Sequence, residues 1–190
     1  MNMTLIVDSR EKWTQPGSTD RHIPDYFDRH GIEWKVQALN VGDYQIEGNP
    51  SVSVDRKHSI DELSRNLMNK ADSSRFWREV RRSFAQGTKL IVLCECGGKY
   101  KTVNDLQTWR SKYSGVSGIK LIHEIVRCEY AYGTVFKLCD KRSTARLIIE
   151  LLTEYESDNK GKDDNAETKT TISDSGGDAT DRTGDSQVDV

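Results

Sequence analysis

The most constraining feature of this chain is a pair of short segments that alternate polar and apolar residues on either side of a turn. Residues 43–47 alternate in this way, residues 48–50 read Gly-Asn-Pro, and the alternation resumes over residues 51–55. Alternation with a period of two is typical of a half-buried strand, and Gly-Asn-Pro supplies turn residues between two such strands. The pattern therefore predicts a β-hairpin with one buried face and one polar face.

The predicted hairpin register places two carboxylates and one cation on its polar face. If the strands fold symmetrically about Asn49, Asp43 lies directly opposite Asp55, and Lys57 returns to the same face two residues later. The predicted pairs on the buried face are Tyr44 with Val54 and Ile46 with Val52. Two like charges about 4 Å apart repel by roughly 4 kcal/mol at an effective dielectric of about 20. A bound cation would remove that cost.

The side chains of this cluster indicate which cation would bind. Carboxylate oxygens with no neighbouring His or Cys favour Mg²⁺ or Mn²⁺ over zinc. Mg²⁺ commonly takes one or two protein carboxylates and completes its shell with water and substrate phosphate, which is typical of a phosphodiesterase. The alternative for a lone pair of acids is an exposed hairpin face whose carboxylates are solvated. The nearby lysine and the flanking motifs described below favour the metal site.

Charge is divided unevenly along the 190 residues. From Glu154 onward large apolar side chains almost vanish, and eleven acidic residues face four basic ones, a net charge of −7. Because the whole chain carries −2, residues 1–153 carry +5. The composition predicts one folded domain over residues 1–155 and a disordered acidic tail over residues 156–190. A basic domain suits a nucleic-acid partner, although an ordinary soluble protein can carry the same charge.

Neither a membrane segment nor a signal peptide is recognisable, so the sequence predicts a soluble intracellular protein, cytoplasmic or nucleoid-associated if bacterial or phage. The four cysteines lack the paired spacing of a zinc site and are interpreted as reduced core thiols. The four histidines show no ligand spacing either.

The remaining pattern predicts strands that alternate with helices after an antiparallel start, hence an α/β fold with a mixed sheet. A capping box, Ser59-Ile-Asp-Glu62, predicts where the helix after the hairpin begins. Predicted strands cover residues 4–8, 33–39, 90–96 and 134–138 besides the hairpin, and predicted helices cover residues 23–31, 59–69, 73–86, 103–106, 117–130 and 143–155.

Three motifs connect these elements to a known family. They are Val-Asp-Ser-Arg-Glu over residues 7–11, Val-Gly-Asp-Tyr over residues 41–44, and Val-Asp-Arg-Lys over residues 54–57 with Asp61 four residues on. In order and spacing, residues 3–153 resemble the nuclease domain of the XPF family of structure-specific DNA endonucleases. The resemblance implies a restriction-endonuclease-like fold, a mixed central sheet flanked by helices.

The chain departs from the family pattern in two ways. Asp55 stands where family members usually have Glu, a carboxylate that is one methylene longer. The tandem helix-hairpin-helix domain that usually binds DNA has no counterpart in this sequence.

The resemblance implies roles for the acidic residues and the lysine. Asp43 and Asp55 would ligate the metal, with Asp8 ligating directly or through water, unless Asp8 is simply satisfied by Arg10. Lys57 would orient or help to deprotonate the attacking water and stabilise charge on the phosphate, unless it only bridges to Asp55. Two further acids belong to the motifs: Glu11 would support the metal site from behind its ligands, and Asp61 would either join the site or only stabilise a helix start.

The basic and aromatic residues have predicted roles as well. Arg10 and Arg56 would bind phosphate or only brace the acids. Arg75, Arg78 and Arg82 form a stripe that would either follow the DNA backbone or face solvent. Trp34, Trp77 and Trp109 are interpreted as core or interface residues.

Together these features predict a Mg²⁺- or Mn²⁺-dependent DNA endonuclease that acts on branched, flap or junction DNA. Because members of the family commonly dimerise, the resemblance also implies a possible homodimer. The alternatives are a non-catalytic DNA-binding or scaffolding partner of the same fold, and a restriction-like or recombination nuclease. Degenerate scaffolding members lose the acids or the lysine, whereas this chain keeps Asp8, Asp43, Asp55 and Lys57.

Overall fold

A computed structural model describes residues 3–18, 21–68 and 70–163, without the side chains of residues 70–74 and 156–163. Its strands are β1 (Thr4–Val7), β2 (Glu33–Val36), β3 (Tyr44–Ile46), β4 (Asn49–Lys57), β5 (Lys89–Glu95) and β6 (Val135–Cys139). Its α-helices are α1 (Pro24–Arg29), α2 (Ile60–Met68), α3 (Lys70–Ala85), α4 (Gly118–Tyr132) and α5 (Thr144–Asp163). Short 3₁₀ helices cover Lys12–Thr14, Val103–Thr108 and Lys141–Ser143.

The described strands form one mixed sheet in the order β2-β1-β3-β4-β5-β6. The pairs of β1 with β3 and of β3 with β4 are antiparallel, and the other neighbours are parallel. Strand β3 thus runs antiparallel to the other described strands, and this mixed sheet with its helices confirms the predicted α/β class. The hairpin strands β3 and β4 lie at the centre of the sheet, between β1 and β5. Strand pairing on both edges therefore fixes the position of the hairpin.

Apolar side chains fill both faces of the sheet. One core cluster joins α1 and α5 to β1, β3 and β4, with Leu5, Phe27 and Ile148 fully buried. The other joins α2, α3 and α4 to β5, with Leu63 and Val92 fully buried. Strand β5 contributes to both clusters, as expected of a central parallel strand covered by helices on both sides.

The predicted hairpin register is correct next to Asp43 and Asp55 and wrong at the turn. Tyr44 pairs with Val54 as predicted, but Ile46 pairs with Asn49 instead of Val52, because a register shift lies between the two pairs. The turn is therefore Glu47-Gly48, with Gly48 at φ 77°, a left-handed conformation that glycine adopts without strain. Ser53 stabilises the irregular stretch by donating its hydroxyl to Val41 O at 2.7 Å.

Several predicted element ends also need correction. Strand β2 ends at Val36 and not at Leu39, because the Leu39 amide turns away to donate to Asp8 Oδ2 at 2.7 Å. The capping box is only partly formed, since Glu62 N donates to Ser59 Oγ while the Glu62 carboxylate accepts from His58 N. Helix α3 begins at Lys70, three residues before the predicted start.

The last helix, α5, is longer than predicted: it ends at Asp163 and not at residue 155. The rest of the predicted acidic tail, residues 164–190, lies outside the described residues.

Three of the four cysteines, Cys94, Cys128 and Cys139, are buried, as predicted for core thiols. Burial raises the pKa of Cys128 and of Cys139 to about 11. In the described part of the chain, no helix has the length and apolarity needed to span a membrane.

Candidate active site

A cavity of about 330 Å³ opens where the loop after β1, the start of β3, the end of β4 and helices α2 and α3 meet. Most of its lining side chains are charged. They are Arg10, Glu11, Lys12, Asp43, Asp55, Arg56, Lys57, His58, Glu62, Arg65, Asn66, Arg75, Phe76 and Glu79. Six of the predicted catalytic residues thus line one cavity, whereas Asp8 and Asp61 do not.

The β3–β4 pairing positions the two central acids side by side. Asp43 precedes Tyr44, which pairs with Val54, and Asp43 N donates to Val54 O at 2.8 Å. The Asp43 carboxylate accepts from Arg56 N at 2.8 Å. Burial, followed by the carboxylates of Asp55 and Glu11, raises the pKa of Asp43 well above its ordinary value. A cation in the cavity would favour the charged form of Asp43 and offset this repulsion.

Lys57 makes a close ion pair with Asp55. Its Nζ lies 2.7 Å from Oδ1 and 2.7 Å from Oδ2, but only Oδ1 receives an aligned hydrogen bond. Burial alone would lower the pKa of Lys57, yet the Asp55 and Asp43 carboxylates outweigh it and raise the pKa above the ordinary lysine value. Lys57 is therefore an ammonium ion at neutral pH in this structure, which suits it to stabilise anionic oxygen.

The acids of the cavity fit a hard divalent cation. Asp55 Oδ2 is buried without an aligned hydrogen-bond donor, and Asp43 lies beside it on the same face. Two carboxylates suffice for Mg²⁺, which completes its shell with water and substrate phosphate. Within residues 3–18, 21–68 and 70–163, no cluster of three or more His, Cys, Asp or Glu side chains is arranged to hold a metal by itself.

Asp8, the predicted third ligand, is fully buried behind the cavity and fully engaged. Its Oδ1 accepts from Arg10 N and Nε, both at 2.7 Å, and its Oδ2 accepts from Arg10 Nη2 at 2.9 Å and Leu39 N at 2.7 Å. Burial would raise the pKa of Asp8, but these bonds outweigh burial and lower the pKa. The contacts match the alternative reading, in which Arg10 satisfies Asp8.

The sequence left Arg56 open between binding phosphate and bracing the acids, and its guanidinium group contacts two buried acids. Its side chain is 0% exposed, with Nη1 donating to Glu11 Oε1 at 2.8 Å and Nε to Glu95 Oε1 at 2.9 Å. Glu11 also accepts from Tyr44 OH at 3.1 Å. These contacts agree with the alternative in which Arg56 braces the acids. The support of a metal site by Glu11 stays a prediction.

Sequence reasoning missed Glu79 of α3, a further acid that lines the cavity. Its Oε1 accepts from Gly42 N at 2.8 Å, one residue before Asp43. Burial and then the Asp55 carboxylate raise the pKa of Glu79. Glu79 lies four residues after Arg75 on the basic stripe of this helix, so the available signal was an acid interrupting that stripe.

His58 was missed as well, although it directly follows Lys57. It lines the cavity, and burial followed by the charge of Arg56 lowers its pKa, so its imidazole is neutral at neutral pH.

Comparison with known proteins bears directly on this site. A family model described as "ERCC4 domain" matches residues 7–175, most of the chain, including every motif that lines the cavity. The chain belongs to the ERCC4 domain family. This confirms the resemblance to XPF nucleases. No curated protein matches the sequence.

Solved structures share the fold of this ERCC4 domain. "XPF from Aeropyrum pernix" matches with a TM-score of 0.58 and 18% identity, over 83% of this chain and 69% of that one. "XPF from Aeropyrum pernix, complex with DNA" matches with a TM-score of 0.56 and 19% identity, over 82% of this chain and 66% of that one. At these identities, the likeness shows the fold alone.

The arginine stripe of the ERCC4 domain continues from the cavity onto the surface. Arg75, Arg78 and Arg82 are exposed on α3, and with Arg10 and Glu79 they line an adjoining groove of about 330 Å³. Arg75 lines both the groove and the acidic cavity. Four guanidinium groups thus line a groove that adjoins the candidate metal ligands.

The sequence left Asp61 open between joining the active site and stabilising a helix start. Asp61 does not line the candidate active-site cavity. Its Oδ1 accepts from Ser111 Oγ at 2.7 Å, in a separate cavity beside α2. Among the predicted core or interface tryptophans, Trp109 is buried, while Trp34 and Trp77 are half-buried.

Proposed function

We propose that this ERCC4 domain is a Mg²⁺- or Mn²⁺-dependent endonuclease that hydrolyses phosphodiester bonds in branched or otherwise structured DNA inside the cell. The observation that carries the proposal is the meeting of Asp43, Asp55 and Lys57 in one open cavity. Membership of the ERCC4 family supports a nuclease, and the intact acid–lysine set favours an active enzyme over a non-catalytic scaffold.

Asp43 and Asp55 are the proposed metal ligands. The bound ion would polarise the scissile phosphate and lower the pKa of a bound water. Support comes from the raised pKa of Asp43, because a cation in the cavity would favour the charged form of this buried carboxyl. Glu79 is proposed to add negative charge from the helix side.

The remaining charged groups of the cavity are proposed to hold the DNA strand. Lys57 presents an ammonium group to the non-bridging oxygens of the scissile phosphate, where negative charge grows during in-line attack. Arg10, which is 57% exposed at its side chain, and Arg75 at the cavity rim would bind the neighbouring phosphates. The products expected from such a site are a 5′-phosphate and a 3′-hydroxyl.

DNA as the substrate follows from charge and from the family. The groove beside the cavity carries four arginines and one glutamate, a pattern suited to a phosphate backbone. A solved structure of the same fold is titled as a complex with DNA, which supports the same partner for this chain.

A homodimer through α4 is proposed as the assembled form. Ile119, Val126 and Tyr130 are exposed on one face of α4, and Phe84 is exposed beside that helix, where it contacts Tyr132. Spacings of seven and four residues place the three α4 side chains in one apolar stripe. Exposed apolar stripes of this kind commonly mark protein interfaces.

The proposal is tested by incubating the purified full chain with labelled flap, fork, Holliday-junction and linear duplex DNA in Mg²⁺, in Mn²⁺ and in EDTA. We expect cleavage of at least one branched substrate in either metal and none in EDTA. Binding of all substrates without cleavage of any would assign the scaffolding role instead. Sedimentation of the same sample, compared with Val126→Asp, tests the dimer, which the substitution should dissociate.

A further inference from the structure

A second cavity, of about 440 Å³, lies between α2, the loop over residues 111–116 and the start of α4. Its volume falls within the range of about 300–1,000 Å³ that holds small organic ligands. Arg65 lines both this cavity and the candidate active site, so the two are neighbours along α2. Nothing in the proposed chemistry of the active site uses it.

The cavity wall contains a buried hydroxyl with no hydrogen-bond partner among the described residues. Ser64 is 2% exposed, and its Oγ makes no hydrogen bond to the residues that the structure describes. A serine inside a helix ordinarily bonds to the carbonyl four residues before it, and an unpaired buried hydroxyl is costly. A ligand that reaches Ser64 with a polar atom would satisfy this group.

Asp61 lies one helical turn before Ser64 in the same cavity wall. Its carboxylate favours a ligand that presents hydrogen-bond donors. Its carboxylate already accepts from Ser111 Oγ and has acceptor capacity left on its second oxygen. A carboxylate in the wall disfavours a bare phosphate but accepts readily from the amino and imino groups of nucleobases.

The rim of the cavity supplies the other elements of a nucleotide site. The ring of Tyr113 is 82% exposed, and Met68 and Val116 provide apolar surface nearby. Two cationic side chains, Arg65 and Lys120, stand at the same opening. Aromatic rings stack on unpaired bases, and cations at the edge of such a pocket bind the attached phosphates.

We propose that this cavity binds one unpaired nucleotide of a branched DNA, with the base toward Asp61 and Ser64 and stacked on Tyr113, and its phosphates toward Arg65 and Lys120. The inference rests on the proposed DNA function, and it names a subsite through which the chain distinguishes branched DNA from duplex. The shared Arg65 places this nucleotide next to the strand in the active site.

Binding by the full chain with Asp43→Asn tests the subsite without cleavage. The probes are a flap DNA carrying 2-aminopurine at the first unpaired position and a fully paired duplex of equal length. We expect the flap-bound 2-aminopurine to be quenched, and Tyr113→Ala to weaken flap binding by about fivefold or more while duplex binding stays the same. Tyr113→Phe, which keeps the ring, should bind both probes normally, and equal melting temperatures show that each variant folds.

The outcomes separate the two proposals. Equal effects of Tyr113→Ala on flap and duplex, or no effect on either, would overturn the nucleotide subsite while leaving a metal-dependent nuclease intact. A flap-specific loss, together with failure of the wild-type chain to cleave any of the DNA substrates in Mg²⁺ or Mn²⁺, would support the subsite and reject the endonuclease. Failure of the chain to bind either probe would overturn both.

Discussion

Lys57 Nζ lies 2.7 Å from each carboxylate oxygen of Asp55, two residues before it on the same strand. The period of two along β4 brings both side chains to the cavity face, and their mutual charge holds the lysine protonated despite burial. This pair couples the candidate metal ligand to the cation that would face the phosphate.

Replacing that cation should affect catalysis more than binding. Lys57→Met keeps an apolar stem of similar length but removes the ammonium group. We expect the cleavage rate to fall about 100-fold or more, because charge that develops on the phosphate loses its nearest cation. The DNA dissociation constant should change little, because Arg10 and Arg75 remain. Gel-shift and single-turnover assays measure the two quantities, with the exposed Lys112→Met as the matched control. Loss of binding in parallel with cleavage would assign Lys57 to affinity alone.

Glu79, which sequence reasoning missed, provides a second test. Glu79→Gln retains an oxygen for the Gly42 amide but removes the negative charge from the cavity. We expect the variant to fold normally and to need a higher Mg²⁺ concentration for half-maximal cleavage. A Mg²⁺ titration of the cleavage rate measures this shift. Glu150→Gln, on the exposed face of α5, should leave the titration unchanged. If Glu79→Gln needed the same Mg²⁺ concentration as wild type for half-maximal cleavage, Glu79 would not contribute to metal binding.

Asp8 should act on stability in a pH-dependent way. Because the bonds from Arg10 and Leu39 lower the pKa of Asp8 in the folded protein, its ionised form contributes stability above its unfolded pKa of about 3.9. That contribution is lost as the pH falls through the lower, folded value. We expect Asp8→Asn to reduce the free energy of unfolding by about 1–3 kcal/mol at pH 7, and the difference from wild type to shrink below about pH 4.

Urea unfolding at several pH values measures the Asp8 effect. Asp25→Asn is the control, because Asp25 forms an exposed pair with Arg21 that contributes little. If the difference in unfolding free energy between wild type and Asp8→Asn stayed constant down to acidic pH, ionised Asp8 would not be the source of the stability.

Gly42 should tolerate no side chain, because it holds β3 against β4 next to Asp43. Its φ is 69°, and an added Cβ would lie 2.0 Å from Ser53 Oγ and 2.9 Å from Val54 O. Gly87 has a similar φ of 68° with open space around it. We expect Gly87→Ala to cost about 1–2 kcal/mol from backbone conformation alone, and Gly42→Ala to cost clearly more. Thermal or urea unfolding compares the stability of the two variants. Equal losses of unfolding free energy would contradict the predicted clash of a residue-42 Cβ with Ser53 and Val54.

The sequence predicted well those features that depend on local pattern. Alternation along β4 located the acid–lysine face, and the motifs that follow β1 and open β3 converge on it because antiparallel pairing joins β1 to β3 and β3 to β4. The sequence pattern could not show with which residue each charged side chain would form an ion pair. The Arg56 guanidinium contacts Glu11 from the loop after β1 and Glu95 from β5, and these two contacts exist only in the folded sheet.

The same reason applies to the contacts of Asp8 and to the omission of Glu79. The Asp8 carboxylate is occupied by Leu39 N, thirty-one residues away, and Glu79 reaches the cavity from a helix that follows the motifs. The hairpin turn was misplaced because a register shift in β3–β4 leaves the alternation of polar and apolar residues intact.

The central claim is that Asp43 and Asp55 hold the metal that makes this ERCC4 domain a nuclease. Its most direct test is the Mg²⁺-dependent rate of flap cleavage by Asp43→Asn beside wild type, with folding verified by circular dichroism. The account predicts a fall of about 100-fold or more with DNA binding retained. Cleavage by Asp43→Asn at the wild-type rate and with the wild-type Mg²⁺ dependence would contradict it.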